Sequence, residues 1–153
     1  MTWLLRLGSA LALWASLATT QAAPDEVIKV LPHFLDRNGK HALSPSLFER
    51  DAYQAILRES PEKRGGMQFD VQWKARKIAG RTLKLRLELV TDRYPKGQPF
   101  LADIELDRSS RFGRWKRIRL EAPLMARLGE VVAWRVTLHD GVHELSSRQS
   151  FLW

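Results

Sequence analysis

The chain has 153 residues, with 25 Lys and Arg against 17 Asp and Glu, a formal net charge of +8, 44% hydrophobic residues and no cysteine. Apolar content near the globular average argues against wholesale disorder, and the length bounds the chain to about one domain. The missing thiols exclude disulfide frameworks, thiolate zinc sites, thiol nucleophiles and a thiol-linked lipid anchor.

The first element is a leader. Arg6 gives it a positive charge, Leu7 to Ala18 are apolar or small, and Thr20-Gln21-Ala22 places small residues at the −3 and −1 positions of a cut after Ala22. That is the pattern of a secretory signal peptide over residues 1–22, with a retained N-terminal anchor as the alternative. Its apolar run of about 12 residues falls short of the ~20 that a spanning helix needs. The expectation is an exported protein, periplasmic or extracellular, whose residues 23–153 form a single domain. Within it a helix-containing segment, 23–64, precedes a core of strands, 65–153.

Ile28 to Leu35 reads as a first strand. Ser46 followed by Glu49 has the form of a capping box, and Leu47, Phe48, Ala52, Tyr53, Ile56 and Leu57 recur near helical spacing until Ser60-Pro61. This predicts a helix over 46–59 whose apolar stripe packs on the domain's own core, with a partner-binding helix as the alternative. Beyond it the apolar period is two, the strand signal. Met67, Phe69, Val71 and Trp73 alternate with polar residues; so do Leu83, Leu85, Leu87 and Leu89, then Phe100, Ala102, Ile104 and Leu106. Ile118 and Leu120 follow, then Val132, Trp134, Val136 and Leu138, and a last strand from His143 to Trp153. Strand alternation in that last strand buries Phe151 and Trp153 on one face, with an apolar Phe151-Leu152-Trp153 end exposed to a partner as the alternative. Asp140-Gly141 signals a tight hairpin, because both residues tolerate positive φ. The expected fold is all-β: a two-layer antiparallel sandwich of about seven strands with one short helix. A parallel sheet would need helical crossovers, which the pattern lacks.

From Met67 to Trp153 the residues resemble the fibronectin type III and wider immunoglobulin-like superfamily. Trp73 is similar to the core tryptophan of that family's second strand. Leu128, six residues before Trp134 and followed by Val136 and Leu138, resembles the run entering its sixth strand. An aromatic Trp134 stands where the family carries tyrosine, the proline usual near that leucine is missing, and the 46–59 helix is additional. The resemblance implies an architecture and no particular function, since such sandwiches serve adhesion, binding and spacing alike.

Motifs for acyl transfer, zinc proteolysis, phosphate cradling and calcium binding are missing, and no cofactor is implied. His139 and His143, with Asp140 or Glu144, are the material for a metal-dependent hydrolase, set against ordinary solvated hairpin histidines. Asp103, Glu105 and Asp107 could be paired carboxylates for acid and base chemistry, or the wet face of an amphipathic strand paired with basic neighbours.

Positive charge is the uneven feature. Residues 61–120 hold 16 basic and 7 acidic groups, a net +9, whereas 23–60 hold 5 and 6 and 121–153 hold 3 and 4. In the run Arg111-Phe112-Gly113-Arg114-Trp115-Lys116-Arg117, followed by Arg119, bases and aromatics interleave. Guanidinium forks grip phosphate, sulfate or carboxylate, and an aromatic face stacks on a base or sugar. The candidate binding residues are Arg111, Arg114, Trp115, Lys116, Arg117 and Arg119, on a hairpin over 108–119, set against the plainer reading that strand-exposed Lys and Arg keep a sandwich soluble and guard its edges against aggregation while Trp115 packs at the rim. After export the fitting partners are an anionic envelope polymer, lipid head groups or an acidic protein, with nucleic acid a poor physiological partner. The non-enzymatic reading has two alternatives, the histidine hydrolase and a structural accessory subunit.

Overall fold

The computed structural model describes residues 24–107 and 112–153; the expected leader, Arg108 and Arg111 lie outside them. Seven strands and two helices follow in the order β1 (Glu26–Asp36), α1 (Leu47–Glu59), β2 (Arg64–Lys74), β3 (Leu83–Thr91), β4 (Phe100–Glu105), β5 (Arg114–Glu121), α2 (Ala122–Leu128), β6 (Val131–Asp140) and β7 (His143–Gln149). One turn of 3-10 helix, Pro61–Lys63, links α1 to β2.

The strands form two sheets, β1-β2-β5 and β4-β3-β6-β7, with every pairing antiparallel. This is the two-layer all-β sandwich that the period-two pattern predicts. The apolar face of each strand closes the space between the sheets: Phe69, Val71 and Trp73 of β2, Leu85, Leu87 and Leu89 of β3, Ile118 and Leu120 of β5, and Val136 and Leu138 of β6 are all buried. Each such side chain contributes roughly 1.5–3 kcal/mol of transfer free energy. Phe69 meets the Trp134 ring edge-on, the centroids 6.2 Å apart, so the two sheets also interlock through aromatics.

Several expectations are corrected. Val132 is half exposed instead of lining the core. The register skips it, Val90 facing Ala133 and Thr91 facing Val131, so Val132 is the extra residue of a bulge. The turn after β6 is centred on Gly141-Val142, since Asp140 still pairs with His143; only Gly141 takes positive φ, 56°. Strand β7 ends at Gln149. Phe151 is 100% exposed, in a turn closed by the Trp153 N–H on the Ser150 carbonyl (3.2 Å). The chain has left the ladder there, so strand alternation no longer governs those side chains.

A second helix, α2, stands where none is expected. Pro123 lies in its first turn and Gly129, at φ 82°, ends it, the proline-start, glycine-stop asymmetry of short helices. Its last residue, Leu128, is buried, which makes α2 a plug at one end of the core.

Helix α1 forms at the expected place, but only part of its apolar stripe, Tyr53 and Leu57, turns toward the domain. Ser46 is the N-cap residue but its side chain makes no capping bond. Leu57 is the helix's buried residue, while Leu47 and Ile56 are exposed and Phe48 is 83% exposed. Beside Leu57, what faces the sandwich is polar. The Gln54 amide accepts from the Phe34 N–H (2.8 Å) and donates to the carbonyls of Phe34 (2.9 Å) and His41 (2.7 Å). The Tyr53 hydroxyl donates to Asp36 (2.8 Å).

These bonds identify the function of α1 in the fold: it covers the free edge of β1. Backbone groups point alternately toward and away from the neighbouring strand, so with Phe34 turned outward Pro32 is too, where its missing N–H costs no ladder bond. Past the bulge between Val27 and Lys29, Val27 also faces outward. Its N–H donates to Ser146 Oγ (3.1 Å) and its carbonyl accepts from Arg148 Nε (3.2 Å), which bridges β1 to β7 across the two sheets. One side of the sandwich is thereby closed.

Candidate functional site

The opposite side carries β4 and β5. The 108–119 segment is not a hairpin: β4 pairs with β3 in one sheet and β5 pairs with β2 in the other, so the connection crosses between sheets. Arg111 lies outside the described residues. The remaining five candidates lie on one strand and divide by its period of two. Arg114 and Lys116 share the face of the buried Ile118 and Leu120, while Trp115, Arg117 and Arg119 point to the outer face of β1-β2-β5. A contiguous stretch of sequence thus supplies two surfaces.

On the outer face the arginines are engaged. Arg117 Nε lies 3.3 Å from Asp70, and Arg119 Nε donates to the Gln68 side-chain oxygen at 2.9 Å. The Gln68 amide in turn donates to Asp70 (2.9 Å). Gln68 is fully buried, so this ladder fixes two arginine stems and leaves the Arg117 head more than half exposed. His33 Nε2 stands 3.7 Å from Asp70 and its ring 4.9 Å from that of His41. Burial holds the His33 pKa below its ordinary value, helped by His41 and Arg50 and opposed by Asp70.

Most of the other cations in the basic middle of the chain are neutralised by acids that fold back onto them. Arg81 spans Asp25 (3.0 Å) and Asp140 (2.7 Å), Arg64 meets Glu130 (2.8 Å), and Lys74 meets Glu26 (3.1 Å). Burial pushes the Asp25 carboxyl up, but the Arg81 and Arg76 hydrogen bonds outweigh it and hold it below the usual range. Lys84 (2.9 Å) and Arg86 (2.7 Å) both bind Asp103. The Arg86 hydrogen bond, followed by that from Lys84, holds Asp103 well below the usual carboxylate range against the effect of burial. Of the carboxylate stripe of β4, Asp103 is therefore a structural counter-ion, and it is ionised.

Three unpaired cations lie together. Lys77, Arg114 and Lys116 have no carboxylate within 4.0 Å among the described residues. They border a groove running from the β2–β3 loop to β5. Ile78, Leu83, Leu106 and Asp107 line its larger part, an open volume of ≈ 790 Å³, and Trp73 and Trp115 flank its continuation beside Lys116. Asp107 is the carboxylate in the lining of both parts. An amphipathic wall with surplus positive charge suits a ligand that carries negative charge and some apolar surface.

His139 lies opposite Glu144 on adjacent strands, and His143 opposite Asp140. Burial lowers the His139 pKa, with Arg86 and Lys84 adding to the effect and Glu144 and Asp103 opposing it. Among the described residues no three His, Asp or Glu side chains converge on a common point, and no helix is long and apolar enough to cross a membrane. Comparison with known proteins found no matching family model, curated protein or solved structure.

Proposed function

We propose that the chain is an exported, non-catalytic binding module, an immunoglobulin-like or fibronectin type III-like sandwich that holds an anionic polymer or acidic protein of the cell envelope against β5 and its groove. The observation that carries this reading is the cluster of Lys77, Arg114 and Lys116 around one groove, while Arg64, Lys74, Arg81, Lys84 and Arg86 of the same basic middle segment each meet an acid. Such a cluster is electrostatically costly unless an anion relieves it.

The architecture is supported by which strands share a sheet. β1, β2 and β5 lie together and β3, β6 and β7 lie together, as the first, second and fifth strands and the third, sixth and seventh do in immunoglobulin domains. β4 sits at the β3 edge, where variable-type domains add strands. Export is supported by the leader pattern of residues 1–22, and the corresponding prediction is a mature N-terminus at Ala23.

Retention on a heparin resin through a salt series tests the binding reading. The wild type is retained at low salt and released as salt rises, whereas Arg114→Glu with Lys116→Glu passes through. Equal retention of the double variant sinks it. The exposed stripe of Phe48, Ala52 and Ile56 on α1 favours a second reading, an accessory subunit seated on a larger protein. Phe48→Ser with Ile56→Ser would then abolish co-purification of that protein without changing heparin retention.

A further inference from the structure

We infer that the ligand of the β5 surface is an acidic, extended polypeptide segment that adds to the sandwich as a strand beside β5. This rests on the reading of β5 as the binding surface and narrows it to one chemistry and one geometry.

The backbone comes first. Phe34 turns its N–H and carbonyl toward Gln54 and away from β2, so Met67, its partner in register, turns away from β1 and toward β5. Met67 faces Leu120, and the β2–β5 register runs without a shift from Gly66↔Glu121 to Trp73↔Arg114. Leu120, Ile118, Lys116 and Arg114 therefore bond to β2. The N–H and carbonyl groups of Trp115, Arg117 and Arg119 point to the free side. Among the described residues no side chain or backbone group bonds to them.

That edge differs from the one across the sandwich. The β1 edge is blunted by Pro32, by the Gln54 amide and by Ser146 with Arg148. β5 has no proline, no bulge and no side-chain cap along Arg114–Glu121. Edge strands left in this state are templates for another strand unless charge prevents it.

Charge here selects the partner. Arg114, Lys116, Arg117 and Arg119 stand against Glu121 alone on the strand. Two copies of β5 would set cation opposite cation, which is destabilising, and β4 of a second copy would bring an Asp103 already bound to Lys84 and Arg86. A segment with acids at every second position places them beside Arg117 and Arg119 on the outer face. Apolar residues between them would meet the margin of the core at Ile118 and Leu120. Main-chain bonds then give affinity and the alternate side chains give selectivity, as in other cases of strand addition.

The test uses the mature protein and a synthetic peptide of alternating Glu and Val, with heparin as a polyanion that has no peptide backbone. Hydrogen exchange of the Arg117 and Arg119 amides is expected to slow by about tenfold or more with the peptide and to stay unchanged with heparin. Arg117→Ala and Arg117→Pro separate charge from backbone, since both remove the guanidinium and only the second removes an outward N–H that β2 does not use. The proline variant should bind the peptide about fivefold more weakly than the alanine variant, the effect of one net hydrogen bond, with an unchanged heparin elution. Thermal melting of both variants establishes that the fold is intact. Peptide binding without amide protection, or with equal affinities of the two variants, overturns strand addition while leaving the anionic-surface reading standing. Protection of the same amides without peptide, rising with protein concentration, would assign the edge to a second copy and overturn the inference. Loss of heparin retention in the wild type would overturn the parent reading itself.

Discussion

If α1 is held to the sandwich through polar contacts with the β1 edge, then Gln54 matters more than any apolar residue on the helix's outer face. Gln54→Ala removes three hydrogen bonds at 2.7–2.9 Å, to Phe34 N–H, Phe34 C=O and His41 C=O. Each orphaned group costs about 1–3 kcal/mol when water is excluded. All three sites are partly buried, so water reaches them in part and the lower end applies. The expected loss is about 3 kcal/mol, or a fall in Tm of about 12 °C at ~4 °C per kcal/mol for a chain of this size.

Ile56→Ala on the same helix is the control. Its side chain is 46% exposed, and a surface truncation of that kind changes stability by about 0.5 kcal/mol or less. Urea unfolding followed by tryptophan fluorescence reads both variants against wild type. A Gln54→Ala loss below about 0.5 kcal/mol, or an Ile56→Ala loss as large as that of Gln54→Ala, would refute the assignment of α1 as an edge cover.

Leu57→Ala should cost about 2–5 kcal/mol, because Leu57 is the residue that α1 buries and its truncation leaves a cavity; a loss near zero in the same urea assay would place the helix off the core. At Gly129 a Cβ would lie 1.7 Å from Asp92 Oδ1, which accepts the Glu130 N–H at 3.0 Å. Gly129→Ala must displace that carboxylate in addition to straining a φ of 82°, and a loss of about 2 kcal/mol or more is expected in thermal melts. Asp25, Asp36 and Asp103 all have pKa values lowered from 3.8 in the folded state, so the unfolded chain binds their protons first. Their contribution is complete above about pH 5 and declines as pH falls below the unfolded value and through the folded ones; Asp103→Asn should flatten that decline, and an unchanged acid limb would show the pair with Arg86 to be immaterial. The His33 pKa is lowered from 6.5, so stability should already begin to fall as pH drops below about 6.5, and His33→Asn should shrink that earlier step in a pH series of melts.

The strands were legible because each buries one face and polar residues mark the other. In β3, Leu83 to Leu89 alternate with Lys84, Arg86 and Glu88, and burial alternates with them residue by residue. Where a second force competes, the pattern misleads. Phe48, Ala52 and Ile56 have the spacing of a core-facing stripe, but α1 has its polar side engaged with the β1 backbone and presents the stripe to solvent. Helix α2 was legible in principle from Pro123 and Gly129, yet its apolar residues read equally well as a continuation between strands.

The site was legible in part, and for an identifiable reason. A run of cations in sequence resembles a patch, but a strand sends neighbours to opposite faces, so Arg114 and Lys116 part from Arg117 and Arg119. The partners that neutralise the rest lie far away along the chain. Asp25 reaches Arg81 across 56 residues and Glu130 reaches Arg64 across 66, and no local pattern encodes such pairs. Lys77 joins the groove only because the β2–β3 loop folds beside β5.

The two long sides of the sandwich pose one physical problem and answer it differently. On the β1 and β7 side, unpaired backbone is met by side chains of this chain: Gln54 for Phe34, and Ser146 with Arg148 for Val27. On the β5 side, no group among the described residues bonds to the outward backbone of Trp115, Arg117 and Arg119, and the strand carries four cations against one acid. Positive charge opposes pairing with a like edge, as a proline does, but selectively, since a negative strand is attracted where a positive one is repelled. An edge that needed only to remain single could carry either device. The one that carries charge alone keeps its backbone available to an acidic partner, and that availability is what the exchange rates of Arg117 and Arg119 would measure.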